Sequence, residues 1–141
     1  MAVSFTWNNA LTDKVCINCD GASRGNPGPA AIGATIKDES GQLITSISRR
    51  LGHTTNNQAE YRAVIAALEE AAKLGAARVA LFCDSELVVK QLKGQYRVKN
   101  EALKRLYQQA LKLSGQFQEF KVSYVPRHRN READALANKA F

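Results

Sequence analysis

KVCINCDGASRGNPGPAAIGATIKDESGQLITSISRRL, residues Lys14 to Leu51, is the stretch that decides the fold. Lys14 to Asp20 places Val15, Ile17 and Cys19 on alternate positions, the period of a strand with one buried face. DGASRGNPGPA follows, a turn dense in Gly and Pro. A second strand is expected at about Ala31 to Asp38, a turn at Glu39-Ser40-Gly41, and a third strand from Gln42 to Leu51. Three strands joined by such short turns form an antiparallel meander.

Beyond Leu51 the period changes from two to that of a helix. Thr54-Thr55-Asn56-Asn57 offers N-cap candidates, and Gln58 stands three residues after Thr55, the spacing of a capping box. The helix that follows runs to about Leu74 and stops at Gly75, with Tyr61, Ile65, Leu68 and Ala72 as its apolar stripe. Arg78 to Cys83 reads as a compact apolar strand, and Asp84-Ser85 begins a helix ending near Gly94. Asn100 caps a helix carrying Leu103, Leu106, Tyr107 and Ala110. Phe117 to Val125 is the last strand, and Asn130 caps a closing helix carrying Ala133, Leu136, Ala137 and Ala140. The order βββαβααβα implies an α/β fold, a five-stranded mixed sheet of three antiparallel and two further strands flanked by helices. Residues 1–13 read as a short lead-in and 14–141 as one domain.

At 141 residues, 45% apolar and 23% charged, the chain suits one soluble domain with a core of its own. No stretch resembles a membrane span, and the start has no basic region followed by an apolar block, so a cytoplasmic protein is expected. Cys16 and Cys19 form a CxxC, but residues three apart in a strand point to opposite faces. With no second pair to complete a zinc site, all three cysteines, including Cys83, read as small buried residues in a reducing compartment. The formal charge of +7 biases the chain toward polyanions. Its distribution says more: Lys90, Lys93, Arg97, Lys99, Lys104, Arg105 and Lys112 face only Glu101, and Arg127, His128, Arg129 and Arg131 form a second basic group.

The acidic residues fall at the ends of elements. Asp20 ends the first strand and Asp84 the fourth; Glu60 lies in the first turn of the long helix and Asp134 in that of the last. Singly, each has an ordinary explanation in helix dipoles or turn chemistry. Gathered on one edge they would be costly, because two carboxylates ~5 Å apart repel by roughly 3 kcal/mol at an effective dielectric near 20. A hard divalent cation removes that penalty, and oxygen donors without soft ligands suit magnesium or manganese rather than zinc. Two such ions clamp the attacking and leaving oxygens of a phosphodiester displacement.

DGASRGNPG (Asp20 to Gly28), TTNNQAEYRAVIAAL (Thr54 to Leu68), FCDSELVV (Phe82 to Val89) and NREADALAN (Asn130 to Asn138) together resemble type I ribonuclease H, from about Lys14 to Phe141 and in family order. The resemblance implies an endonuclease that cuts the RNA strand of RNA–DNA hybrids, leaving 5′-phosphate and 3′-hydroxyl ends. It implies two Mg2+ ions, replaceable by Mn2+, held by Asp20, Glu60, Asp84 and Asp134. His128 stands where the family has a histidine concerned with proton transfer or product release, in a loop about four residues shorter here. Gly21, Asn26, Thr55 and Asn56 match hybrid-contacting positions, and Lys99 and Asn100 are further candidates at the start of the third helix. Turn and cap chemistry also accounts for Asn26, Thr55 and Asn56, and the two roles are compatible. Many members insert a basic helix and loop after the second helix; this chain lacks that protrusion. Glu86 stands where several members carry glutamine, which would weaken a base or sugar contact. A monomer acting on a hybrid duplex, with no membrane partner, is the expected form.

Two alternatives share these features. Another nuclease on the same fold would use the same carboxylates, and GNPG and TTNN argue against it. A decayed module that binds hybrid without cutting it would have lost a metal ligand, and all four are present.

Overall fold

The computed structural model describes residues 13–141, so the lead-in expected over residues 1–13 lies, apart from Asp13, outside the described residues. Five strands form one mixed sheet: β1 (Lys14–Ser23), β2 (Gly28–Lys37), β3 (Leu43–Thr54), β4 (Arg78–Cys83) and β5 (Glu119–Tyr124). Among the described residues four helices cover it: α1 (Asn56–Lys73), α2 (Glu86–Leu92), α3 (Glu101–Ser114) and α4 (Arg131–Ala140). A single 3-10 turn, Arg127–Arg129, precedes α4. The sheet order is β3-β2-β1-β4-β5. β1–β2 and β2–β3 are antiparallel, and β1–β4 and β4–β5 are parallel. The expected element order is the observed one.

Alternation along β1 sends Val15, Ile17 and Cys19 to one face of the sheet. Their neighbours Ile36 and Ala34 on β2, and Val79, Leu81 and Cys83 on β4, share that face through the register. There they join Tyr61, Val64, Leu68 and Ala71 of α1 in the main core. α4 takes the opposite face. The two helices come close to the sheet at glycines where a side chain has no room. A Cβ on Gly21 would stand 2.2 Å from the Ala59 carbonyl oxygen of α1. One on Gly33 would stand 2.2 Å from the Ala133 oxygen of α4.

The capping box forms as its spacing implies: Thr55 accepts from the Gln58 amide, and Gln58 accepts from the Thr55 amide. Several expected bounds shift. β1 runs on to Ser23 and β2 starts at Gly28, because the residues read as a long turn pair with each other as Gly21↔Ile32 and Ser23↔Ala30. β3 extends to Thr54. In α1, Ala72 is exposed and Ala71 is buried in its place, since so many small residues pack that the buried face covers most of the helix. Cys19 and Cys83 are buried, whereas Cys16 points to the other face and is half-buried; all three are free thiols. Among the described residues no helix is long and apolar enough to cross a membrane.

Candidate active site

Two parallel strands create the site. β1 and β4 lie side by side with Cys19 opposite Cys83 as their last pair, so Asp84 leaves β4 beside Asp20, which does not end β1 as expected but stays in it, paired with Gly33 of β2. Ligand sites on α/β sheets gather at this carboxyl-terminal edge. Glu60 arrives from the second turn of α1, not the first as expected, fixed by a 2.6 Å hydrogen bond in which the Gly21 amide donates to its Oε1. Asp20, Glu60 and Asp84 each offer an oxygen, and these oxygens lie within 4.8 Å of one another. With Gly21, Ala22, Asn56, Ser85 and Arg127 they line a cleft of about 250 Å³.

The electrostatics of this cluster are those of carboxyls held against their preference for water. Burial pushes the Asp20 carboxyl from 3.8 up to about 7, with Asp84 and Asp134 adding repulsion. Burial also raises Glu60 well above the usual carboxylate range, and the Gly21 amide opposes that rise. Oxygen donors alone, crowded and largely buried, are a donor set that suits a hard divalent cation. The described residues therefore fit a metal centre of three carboxylates.

Asp134 borders this triad without joining it. It is close enough to Asp20 to help raise its carboxyl. Its own oxygens face Arg127 Nη2 at 3.4 Å and Asn138 Nδ2 at 3.3 Å. His128 is exposed on the 3-10 turn and lines a different cavity, of about 280 Å³, with Asn18, Lys37 and Arg129. Arg127, not His128, is the residue of that turn that reaches the acidic cleft.

Among the candidate substrate contacts, Gly21 and Asn56 line the cleft, but the Gly21 amide is already committed to Glu60. Asn26 Oδ1 accepts from the Asn56 amide at 3.0 Å, and Asn56 Oδ1 accepts from the Ser23 amide at 3.3 Å, latching the β1–β2 connection to the start of α1. Thr55 serves as the α1 cap. Lys99 and Asn100 stand at the start of α3 outside the cleft lining, with Asn100 accepting from the Leu103 amide. Residues 93–100 carry the chain directly from α2 to α3, so no protrusion intervenes. Glu86 pairs with Lys90 one turn on, at 3.0 Å.

Asn130 occupies the N-cap position of α4 but does not cap it through its side chain, as the sequence led us to expect it would. The side chain is buried and bridges instead: Nδ2 donates to the Cys19 carbonyl (2.9 Å) and to Asp84 Oδ2 (3.2 Å), while Oδ1 accepts from Asn18 Nδ2 (3.0 Å). It therefore ties α4 to both parallel strands and holds Asp84. Neither Asn130 nor Arg127 stands out in the sequence, where one reads as a helix cap and the other as one of several basic residues. An amide spaced one turn before Asp134 is the signal that was available.

Residues 18–140 match the family described as reverse transcriptase-like. The bifunctional protein Rv2228c of Mycobacterium tuberculosis is 48% identical over 129 residues, 91% of this chain and 35% of that protein. Ribonuclease HI of Halobacterium salinarum is 46% identical over 122 residues, 86% of this chain and 61% of that protein. The crystal structure of RNase H1 from that organism matches with a TM-score of 0.88 at 45% identity, covering 90% of this chain and 96% of the other. LC11-RNase H1, solved in complex with an RNA/DNA hybrid, matches with a TM-score of 0.85 at 39% identity, over 89% of this chain and 95% of that one. The chain spans about a third of the length of Rv2228c and under two thirds of that of the Halobacterium protein. Mixed sheet, acidic cleft and these likenesses agree, and the chain belongs to the type I ribonuclease H family.

Proposed function

We propose that this chain hydrolyses the RNA strand of RNA–DNA hybrids, leaving 5′-phosphate and 3′-hydroxyl ends, with Mg2+ at Asp20, Glu60, Asp84 and Asp134. The observation that carries the reading is the buried carboxylate triad within 4.8 Å at the edge of two parallel strands. A pair of divalent ions bound there would supply Lewis acidity to the scissile phosphate and lower the pKa of water.

The chain's own residues do the rest. Gly21 and Asn130 orient Glu60 and Asp84 before any ligand arrives. Arg127 shields Asp134 and stands where an incoming phosphate would draw it away, freeing that carboxylate to complete the ligand set. Asn26, Thr55 and Asn56 line up beside the cleft as contacts for the minor groove of the hybrid, where 2′-hydroxyls distinguish RNA. Lys99, with Lys104 and Arg105 of α3, supplies exposed positive charge in place of the missing protrusion. A part for His128 in proton transfer requires the 3-10 turn to swing toward the carboxylates. A cytoplasmic location belongs to the same reading and rests on three free cysteines.

The test is cleavage of four labelled duplexes in Mg2+ and again with chelator: RNA–DNA hybrid, RNA–RNA, DNA–DNA, and DNA with one ribonucleotide. Cutting confined to the RNA strand of the hybrid and abolished by chelator is expected. Asp20→Asn should stay folded by circular dichroism and cut nothing, since it removes a ligand but little volume. Cleavage of all-DNA duplex would move the chain to another nuclease class on this fold.

A further inference from the structure

The end of α4 lies against the loop that follows β1. Arg50 of β3 donates to the carbonyl oxygens of Ala140 (3.4 Å) and Phe141 (2.7 Å), and Ser48 donates to that of Leu136 (2.6 Å). These bonds fix Phe141, whose ring carries the guanidinium of Arg24 at 4.1 Å from its centroid. Arg24 belongs to the segment Ser23 to Pro27, which Asn56 and Asn26 latch to the start of α1 beside the acidic cleft. Its amide is held by the Pro29 carbonyl at 2.7 Å, and a Cβ on Gly28 would stand 2.1 Å from its carbonyl oxygen. Backbone and side chain of Arg24 are therefore both fixed.

Arg24 is exposed, and among the described residues no carboxylate pairs with it. A guanidinium laid on an aromatic ring gives up rotational freedom without using its N–H edge, so the fork stays available for a planar or bidentate acceptor. Extended chain from Asp20 to Arg24 spans about 13 Å, a few nucleotide steps along one strand of a duplex. An arginine with no acid of its own, immobilised at that distance from a polyanion-cutting cleft, fits a phosphate.

We propose that Arg24 binds a backbone phosphate of the hybrid and that Phe141 is the positioning residue that holds it there. The inference rests on the hybrid-cleaving reading above and adds to it a contact that reaches across from the last helix.

The test is steady-state cleavage of a labelled hybrid by the full chain, at several salt concentrations, with thermal melts alongside. Arg24→Ala should raise KM by roughly five- to tenfold and flatten the dependence of log KM on log salt by about one unit. Its kcat should stay within about twofold and its melting temperature should hold, because Arg24 buries little. Phe141→Ala and Phe141→Leu should raise KM in the same direction while keeping the parent's charge, and Phe141→Tyr should restore it. Parental KM and salt slope in Arg24→Ala, with the parent cutting hybrid, overturn this inference alone. A raised KM with an unchanged slope overturns the phosphate contact, and full function in Phe141→Leu overturns the aromatic platform. A parent that neither binds nor cuts hybrid overturns the underlying reading and this inference with it.

Discussion

Asp20 and Glu60 are carboxyls that folding places where ionising is costly, and the cost has a sign. The Asp20 carboxyl moves from 3.8 to about 7, so the folded chain holds its proton more tightly than the unfolded chain. The stability this contributes is complete below the unfolded value and is lost as pH rises through the folded one. Metal-free protein should therefore melt at progressively lower temperature between about pH 4 and pH 7, from Asp20 alone. Added Mg2+ should raise the melting temperature at pH 8 far more than at pH 5, where protons compete for the same oxygens. Calorimetry with and without chelator checks this, and an equal rise at both values would mean the cation binds elsewhere. Asn130 gives a second residue-scale expectation. Asn130→Ala should lower cleavage by roughly 10–100-fold by releasing Asp84, as removal of an outer partner does at metal centres. The gathering of Asp20, Glu60 and Asp84 was expected from the order of elements, although Asp20 lies within β1 rather than at its end and Asp134 stays beside the triad. The bridge through Asn130 was not legible, because it joins residues 111 and 46 apart in the chain, which no local pattern announces.

Helices and strands meet here at glycines, which makes the site sensitive to changes far from its chemistry. Gly33 lets α4 approach so closely that a methyl group would stand 2.2 Å from the Ala133 oxygen and 2.4 Å from the Ala137 nitrogen. Gly33→Ala should cost roughly 1–3 kcal/mol as the helix lifts and should lower activity by moving Asp134. Gly52→Ala, where a Cβ meets nothing within 4 Å, is the control. Urea titration with parallel cleavage assays checks the pair, and equal behaviour would mean α4 is not held by that contact. Element identity was readable because periods of two and of 3.6 are distinct. Strand ends were less so. Ser23 and Gly28 look like turn residues, and only pairing with the neighbouring strand makes them part of the sheet. Ala72 failed as a stripe position for a related reason: alanines on every side of α1 leave the buried face to be chosen by the sheet.

Over the whole molecule the charge of +7 predicts that hybrid affinity falls steeply with salt, through counterion release. Replacing Lys99, Lys104 and Arg105 together by alanine should raise KM and lower the salt slope by up to about three units. Cleavage assays across a salt series check this, and an unchanged slope would place the duplex away from α3. The topology carries a different consequence. β1 finds its parallel neighbour β4 about sixty residues later, with Ile17 against Leu81, and β4 in turn awaits β5. Pairings of such long separation form late, after much chain has been closed into loops. The carboxylate cluster draws on residues 20, 60 and 84, so it closes only once β4 has paired with β1. Until β4 docks beside β1, Asp20 and Asp84 are far apart and there is no carboxylate cluster to hold a cation, so the metal centre forms as an all-or-nothing product of sheet assembly.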